Sequence, residues 1–365
     1  MIPFLKLELS EESITLVNST LRAGKLAQGD RVRQFERLLA EYCGVQEAVA
    51  VNSGTAALHL ALLALGVTAG DEVITTPFTF GATVNAILMC GARPVFVDIE
   101  EASFLIDPGK IEEKLSKSTK AIIPVDIFGR LADYEFLGAL AEKYHFRILE
   151  DACQAIGAER VGRKAGSFGD IGVFSLYATK NLFAGEGGVL VTDDSAMAER
   201  CRVLRNHGQS GKEKYDYLEL GYNYRMTDVG AAMALPQLEN IDQQNQRRID
   251  MSGFYNEALR NIKGIELPVI EDKSSVFHLY TIRVTEEAKM NRDALQNQLY
   301  DRGAESLVYY PRPLHFYPMY RQIGYEEGDF PLAEKACREV LSLPIYPSLR
   351  EAELQEVVQI ISTIL

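Results

Sequence analysis

The chain has 365 residues, 47% of them hydrophobic, and 38 Lys and Arg against 51 Asp and Glu leave a net charge of −13. That exceeds the ~250–300 residues one hydrophobic core usually serves, so two domains are expected, and the acidic balance without a basic stripe argues against a nucleic-acid binder. Five scattered cysteines with no CxxC pair argue against a disulfide framework or a thiolate metal site, and the lack of a signal-type h-region or a ~20-residue apolar run points to a cytoplasmic protein away from the membrane.

Ser10 before Glu11 and Glu12 reads as a helix cap with acids in the first turn. From Arg31 to Cys43, apolar Val32, Phe35, Leu38, Leu39 and Tyr42 recur at helical spacing, and Gly44 supplies a C-cap. An alternation follows. Ala48–Val51 reads as a strand, Thr55–Leu65 as a helix closed by Gly66, Glu72–Thr75 as a strand and Ala82–Cys90 as a helix closed by Gly91. Pro94–Asp98 is a strand, Asp107-Pro108 opens a helix as cap and first-turn proline, Lys120–Val125 is a strand, Tyr134–Tyr144 a helix and Phe146–Glu150 a strand. Val173–Tyr177 and Gly188–Thr192 add two more strands. Short strands alternating with helices predict an α/β domain with a mostly parallel sheet and helices on both faces.

The pattern changes after Asp228. Val229–Asp250 and beyond reads as long helix, with Pro236 marking a kink or break. Strands at Leu279–Val284 and Ser306–Tyr310 then mix with helices at Arg292–Asp301, Leu332–Val340 and from Glu351 to the C-terminus. The expected division is a large domain over residues 1–245, N-terminal helices included, and a smaller α+β domain over 246–365.

Several segments carry chemistry. Asn52-Ser53-Gly54-Thr55-Ala56-Ala57 joins a strand to a helix start, whose free N–H groups and positive dipole end attract phosphate. Taken alone it is an ordinary capped turn, and one glycine of three does not make a dinucleotide fingerprint. Asp151 ends a buried strand, on the side of the sheet where ligands sit, or else caps the next helix. Gln154 follows three residues later. Lys180 stands between the Gly169-Asp170-Ile171-Gly172 turn and Gly185-Glu186-Gly187-Gly188, with Ser175 five residues before it. A surface lysine does not need such a costly run of glycines. Phosphate cradle, acid, hydroxyl and lysine in that order are the parts that hold pyridoxal phosphate and run amine chemistry. In that case Asp151 would keep the pyridine nitrogen protonated, and Lys180 would need a lowered pKa and could move a proton between two carbons. Phe80, after Pro77 at a strand end, would stack on a flat ring or simply pack at a rim. Arg225, in Gly221-Tyr222-Asn223-Tyr224-Arg225, would bind carboxylate or phosphate or sit in a plain turn. No histidine pair shows metal-ligand spacing, so no metal is expected.

Over nearly its whole length the chain resembles the DegT/DnrJ/EryC1/StrS aminotransferase family. The segments SGTAAL, PFTFGAT, GARPVFVDI, EDACQA, SFGDIGVFSLYATKN, GEGG, LRNHG and GYNYRMTD carry the resemblance. It implies fold type I, aspartate-aminotransferase-like, and a homodimer with shared active sites. By matching motif, Lys180 resembles the Schiff-base lysine and Asp151 the acid on the pyridine nitrogen. Gln154 resembles the partner of the phenolic oxygen, Gly54, Thr55 and Ser175 the phosphate cradle, and Phe80 the stacking aromatic. Asn223 resembles the residue that reaches the phosphate in the neighbouring subunit. Arg225, Tyr310 and His315 are the substrate candidates.

The implied reaction is a ping-pong transfer of an amino group from glutamate to a keto-sugar nucleotide. The short GEGG loop favours a 4-keto-6-deoxy sugar. The chain departs from the family's usual pattern at Asp126, Arg130, Leu176-Tyr177 and Tyr309-Tyr310-Pro311, all of which bear on substrate rather than on cofactor. A keto-inositol or other non-nucleotide ring is the alternative acceptor, and a regulatory protein that binds the cofactor is the non-enzymatic alternative.

Overall fold

The computed structural model of the protein describes residues 1–211, 213, 215–270 and 273–365. Two helices lead, α1 (Glu11–Ala23) and α2 (Asp30–Cys43). Ser10 caps α1 by accepting from the Ser13 amide, and Gly44 ends α2 at φ 72°. Then come β1 (Glu47–Val51), α3 (Gly54–Ala64), β2 (Glu72–Thr75), α4 (Gly81–Met89), β3 (Arg93–Phe96), β4 (Thr119–Ile122), α5 (Tyr134–Tyr144) and β5 (Arg147–Asp151). A small hairpin, β6 (Glu159–Arg160) and β7 (Arg163–Lys164), precedes β8 (Ile171–Ser175), β9 (Gly188–Thr192) and α6 (Ser195–Arg205).

Among the described residues, seven strands form one sheet in the order β1-β9-β8-β5-β4-β2-β3. All neighbours are parallel except that β9 runs against both β1 and β8. The reversal brings the end of β1, the end of β8 and the start of β9 to one edge, because Val51 and Ser175 both pair with Gly188. Asp151 ends β5 on the same edge, opposite Val173 of β8. Both faces are covered. Alternate residues of β1 divide between two cores, Ala48 and Ala50 packing toward α2, Val49 and Val51 toward α3. Helix α3 is apolar nearly all round, as a central helix must be.

The rest of the chain comprises α7 (Asp228–Glu239), α8 (Ile241–Leu259), β10 (Ile265–Glu266), β11 (Tyr280–Val284), α9 (Arg292–Asp301), α10 (Pro318–Arg321), α11 (Pro331–Glu339), β12 (Val340–Leu343) and α12 (Glu351–Ile364). Strands β10, β11 and β12 make a second, antiparallel sheet. A third core gathers there from α8, α9, β11, β12 and α12. Ile2 joins it by bridging to Ala304, so the first residues run across to this smaller sheet.

Some elements differ from the sequence reading. The helix expected after Asp107 is only two short 3-10 turns, Pro108–Lys110 and Glu112–Lys114; Asp107 does cap the first, accepting from Gly109 at 3.0 Å. The helix expected over 229–250 is two helices that break at Asn240, not at Pro236. Pro236 stays inside α7, where the Gln237 and Asn240 side chains donate to the Met233 and Pro236 carbonyls. The strand expected at Ser306–Tyr310 is absent, leaving an isolated bridge from Leu307 to Ser342. The helix expected through Val340 stops at Glu339, and the β-branched start of Val340-Leu341-Ser342-Leu343 pairs with β11 instead. Helix α6 was not anticipated, although Asp194 caps it by accepting from both Ala196 and Met197. Among the described residues no helix is long and apolar enough to cross a membrane.

Candidate active site

The strand ends at that edge open into a cavity of about 730 Å³. Of the residues singled out from the sequence, Gly54, Thr55, Phe80 and Asp151 line it, as do Gln154, Ser175, Lys180 and Tyr310.

The floor starts from α3. Ser53 caps the helix through the Ala56 amide at 3.1 Å, which leaves the Gly54 and Thr55 turn at its positive end facing the cavity. The fit is tight: a Cβ on Gly54 would lie 3.0 Å from Ser175 Cβ and 3.3 Å from Cys153 Sγ. Gly188 explains the GEGG motif in the same terms. A Cβ there would lie 2.3 Å from the Ser53 carbonyl oxygen and 2.7 Å from the Gly54 nitrogen. Only a bare backbone lets β9 support the helix start this closely.

Asp151 is nearly fully buried. Its Oδ2 accepts from the Thr83 hydroxyl at 2.8 Å, and Thr79 meets Thr83 at 3.1 Å. Its Oδ1 has a long contact with the Cys153 amide, 3.4 Å, and the Cys153 thiol also reaches the carboxylate, whose four lone-pair sites still leave room for one more donor. Burial raises its pKa, while donors at Cys153 and Thr83 and the charge of Lys180 pull it down.

Lys180 follows β8 across a turn closed by its own amide to Tyr177 at 2.9 Å. The chain on either side is pinned, Leu176 to Gly187 and Ala184 to Leu176, both at 2.8 Å. No hydrogen bond or ion pair holds the Lys180 amine among the described residues. Burial lowers its pKa, opposed by Cys153 and Asp151. An unpaired amine with a depressed pKa, in one cavity with a buried acid, is poised as a nucleophile or base.

Gln154 is fixed by its carbonyl, which accepts from the Phe128 amide at 2.9 Å, so its NH₂ turns to the cavity and meets the Tyr310 hydroxyl at 3.4 Å. Phe80 stands 63% exposed on the rim, with the Tyr310 ring 6.4 Å away.

Three candidates lie elsewhere. Asn223 is exposed and bridges to Asn206, and Arg225 donates to the Asn206 side chain at 2.8 Å. His315 is buried against Glu334 at 3.2 Å, in a separate cavity with Arg321 and Tyr325. None of the three lines the cavity around Lys180.

The sequence reading passed over other lining residues. Phe4 and Leu5 come from the N-terminus, and Thr79 and Thr83 share the PFTFGAT segment with Phe80. His278 faces the cavity too, and its tautomer follows from its neighbours. Asn245 donates to the Ile156 carbonyl at 2.8 Å, and Asn181 donates to Asn245 at 2.9 Å. The Asn181 oxygen therefore accepts from His278 Nδ1, 3.2 Å away, which leaves Nε2 as a bare acceptor. Burial and the charge of Lys180 hold this ring well below its usual pKa, so it stays neutral.

The parts suit pyridoxal phosphate: a helix start and Ser175 for the phosphate, an acid short of one donor for the ring nitrogen, an aromatic for the ring face and a free amine for the aldehyde. The DegT/DnrJ/EryC1/StrS aminotransferase family matches residues 7–362. The "pleiotropic regulatory protein" of Geobacillus stearothermophilus is 40% identical, over 96% of this chain and 94% of that one. The dTDP-3-amino-3,4,6-trideoxy-alpha-D-glucose transaminase of Streptomyces venezuelae is 38% identical, over 98% and 94%. The PLP form of Streptococcus pneumoniae Spr1654 superposes with a TM-score of 0.93 at 30% identity, covering 100% of this chain and 99% of that one. The chain thus belongs to the DegT/DnrJ/EryC1/StrS aminotransferase family, as a pyridoxal-phosphate-dependent aminotransferase of fold type I.

Proposed function

We propose that the protein transfers an amino group from L-glutamate to a keto-sugar carried on a nucleoside diphosphate, in two half-reactions at one site. The observation that carries this reading is the unpaired amine of Lys180, its pKa lowered by burial, sharing a cavity with the buried carboxylate of Asp151. When bound, pyridoxal phosphate supplies an aldehyde for the amine and a ring that spreads the electron pair left at a carbon losing its proton. Asp151 holds a proton at the ring nitrogen. The NH₂ of Gln154 donates to the ring's oxygen, and the start of α3 with Ser175 binds the phosphate. Lys180 Nζ would take the proton from the donor's carbon and deliver it to the carbon on the other side of the nitrogen, and would do the reverse for the sugar.

Among the described residues Lys180 is the one cationic side chain lining the cavity, beside the acids Asp151 and Glu186. Glutamate and a diphosphate both need more positive charge than that. This supports a homodimer in which the partner copy completes the site, with Asn223 and Arg225 as its contributions. We further propose a division near residue 245, within α8, and a cytoplasmic setting. The lean to a 4-keto-6-deoxy sugar rests on the short GEGG loop.

The experiment is direct. Glutamate added to the yellow holoenzyme should bleach the visible band and release 2-oxoglutarate, and a keto-sugar nucleotide should restore the colour. Lys180→Ala should slow both halves by at least the ~10²–10⁴-fold that a positioned proton carrier contributes; full activity in that variant would remove Lys180 from the mechanism. Recovery with a keto-inositol but no sugar nucleotide would favour the non-nucleotide ring. The regulatory reading has support in the name of the Geobacillus relative. It predicts a band that glutamate leaves unchanged.

A further inference from the structure

Successive side chains of β5 point to opposite faces, so Glu150 lies behind the sheet from Asp151. The isolated parallel bridge between Val125 and Asp151 then sets Asp126, beyond the end of β4, on the same face as Glu150. Asp126 and Glu150 are both fully buried, and Asp126 is within hydrogen-bonding reach of Glu150.

Their donors are unevenly shared. Asp126 Oδ1 accepts from the Ala132 amide and the Tyr134 hydroxyl, both at 2.9 Å. Asp126 Oδ2 is buried with no partner. Each Glu150 oxygen has an amide, Oε1 from Gly166 and Oε2 from Phe168 at 3.0 Å. Among the described residues no cation compensates. Arg160 spends its guanidinium on the carbonyls of Ala132 and Leu131, at 2.9 and 3.3 Å. Lys164 turns to Asp242 and Glu159, at 3.4 and 3.8 Å. The other titratable groups facing the pair are Tyr134, Cys43 and Cys153, all pushed up by burial and so neutral, and Asp151 itself.

A carboxylate oxygen without a donor, in a dry layer beside a second carboxylate, is a large uncompensated cost. A proton on that oxygen removes it. We propose that Asp126 is a carboxylic acid that donates from Oδ2 to an ionised Glu150, so that a single negative charge stands behind Asp151. Asp126 is thereby a positioning residue for Asp151, since a second charge there would push Asp151 toward protonation and away from its proposed task at the ring nitrogen. Burial and the charge of Glu150 hold Asp126 well above the usual carboxylate range, and burial pushes Glu150 up to about 7.

The proposal rests on the role given to Asp151 above, but its test does not use turnover. The holoenzyme is labelled with ¹³C-carboxyl aspartate and its infrared spectrum is taken at neutral pH. One isotope-shifted band of a protonated carboxyl is expected. It should vanish in Asp126→Asn, whose amide reproduces the donor toward Glu150, and survive in Asp151→Asn. In the wild type it should persist well above pH ~4, where ordinary carboxyls have ionised. No such band, a band that titrates with the ordinary carboxyls, or a band lost in Asp151→Asn but kept in Asp126→Asn overturns the proposal. If the amine-transfer reading failed, 2-oxoglutarate release would be missing while the band remained.

Discussion

Asp151 shows how a single carboxylate is tuned by what reaches it. Burial raises its pKa, and the Thr83 hydroxyl at 2.8 Å is one of the groups lowering it. Thr83→Val keeps the shape and removes the donor. The pKa of Asp151 should then rise, and the acid limb of the kcat/KM profile should move to higher pH, with a loss at neutral pH of roughly the 1.5–3 kcal/mol that a hydrogen bond to a charged group contributes. An unchanged profile would mean that Thr83 only fills space. Neither Thr83 nor His278 stood out in the sequence. Threonine and histidine are common in cores, and their partners, Asp151 and Asn181, lie 68 and 97 residues away along the chain.

At the scale of elements, the site depends on β9 carrying no side chain where it meets α3. Gly188→Ala would press a methyl against the Ser53 carbonyl and the Gly54 amide, both backbone groups that cannot swing aside. The start of α3 must shift, so cofactor affinity should fall by at least ~10-fold, with a loss of stability of about 1–3 kcal/mol as expected for overpacking. Cofactor titration and thermal melting measure the two. Gly185→Ala is the control, because nothing lies within 4 Å of its added Cβ, although its φ of 81° disfavours any side chain. The motif's glycines therefore do different work, one in chain direction and one in close approach. The spacing of GEGG marked the segment as special, and only the antiparallel return of β9 beside β1 shows why.

For the whole molecule, pH acts through the buried acids. Asp126 and Glu150 have folded pKa values above their unfolded values near 4. The folded protein therefore binds a proton that the unfolded chain has lost. Their contribution to stability is fully present below the unfolded values and fades as pH rises toward about 7, the value for Glu150. Denaturant melts of the wild type from about pH 4 to about pH 7 should show this decline, and Asp126→Asn should flatten it. The proposed dimer has its own test. Lys180→Ala and Asn223→Ala proteins, unfolded and refolded together, should recover about a quarter of wild-type activity, because random pairing leaves one intact site in each mixed dimer. No recovery would place Asn223 in the same site as its own chain's Lys180, or in none.

Local chemistry was readable along the chain because it is local. Strand–helix alternation, Ser10 and Gly44 as caps, and the order of cradle, acid, hydroxyl and lysine all rest on residues close in sequence, and they led to fold type I, to the cofactor and to a family that the comparisons then matched over residues 7–362. Contacts between distant segments were invisible. They decided that Phe4 and His278 line the cavity while His315 does not, and that Val340 begins a strand beside β11. They also left Asp126 with an oxygen that no donor reaches. Backbone propensity is written residue by residue, whereas burial and hydrogen-bond supply exist only once distant segments have packed together.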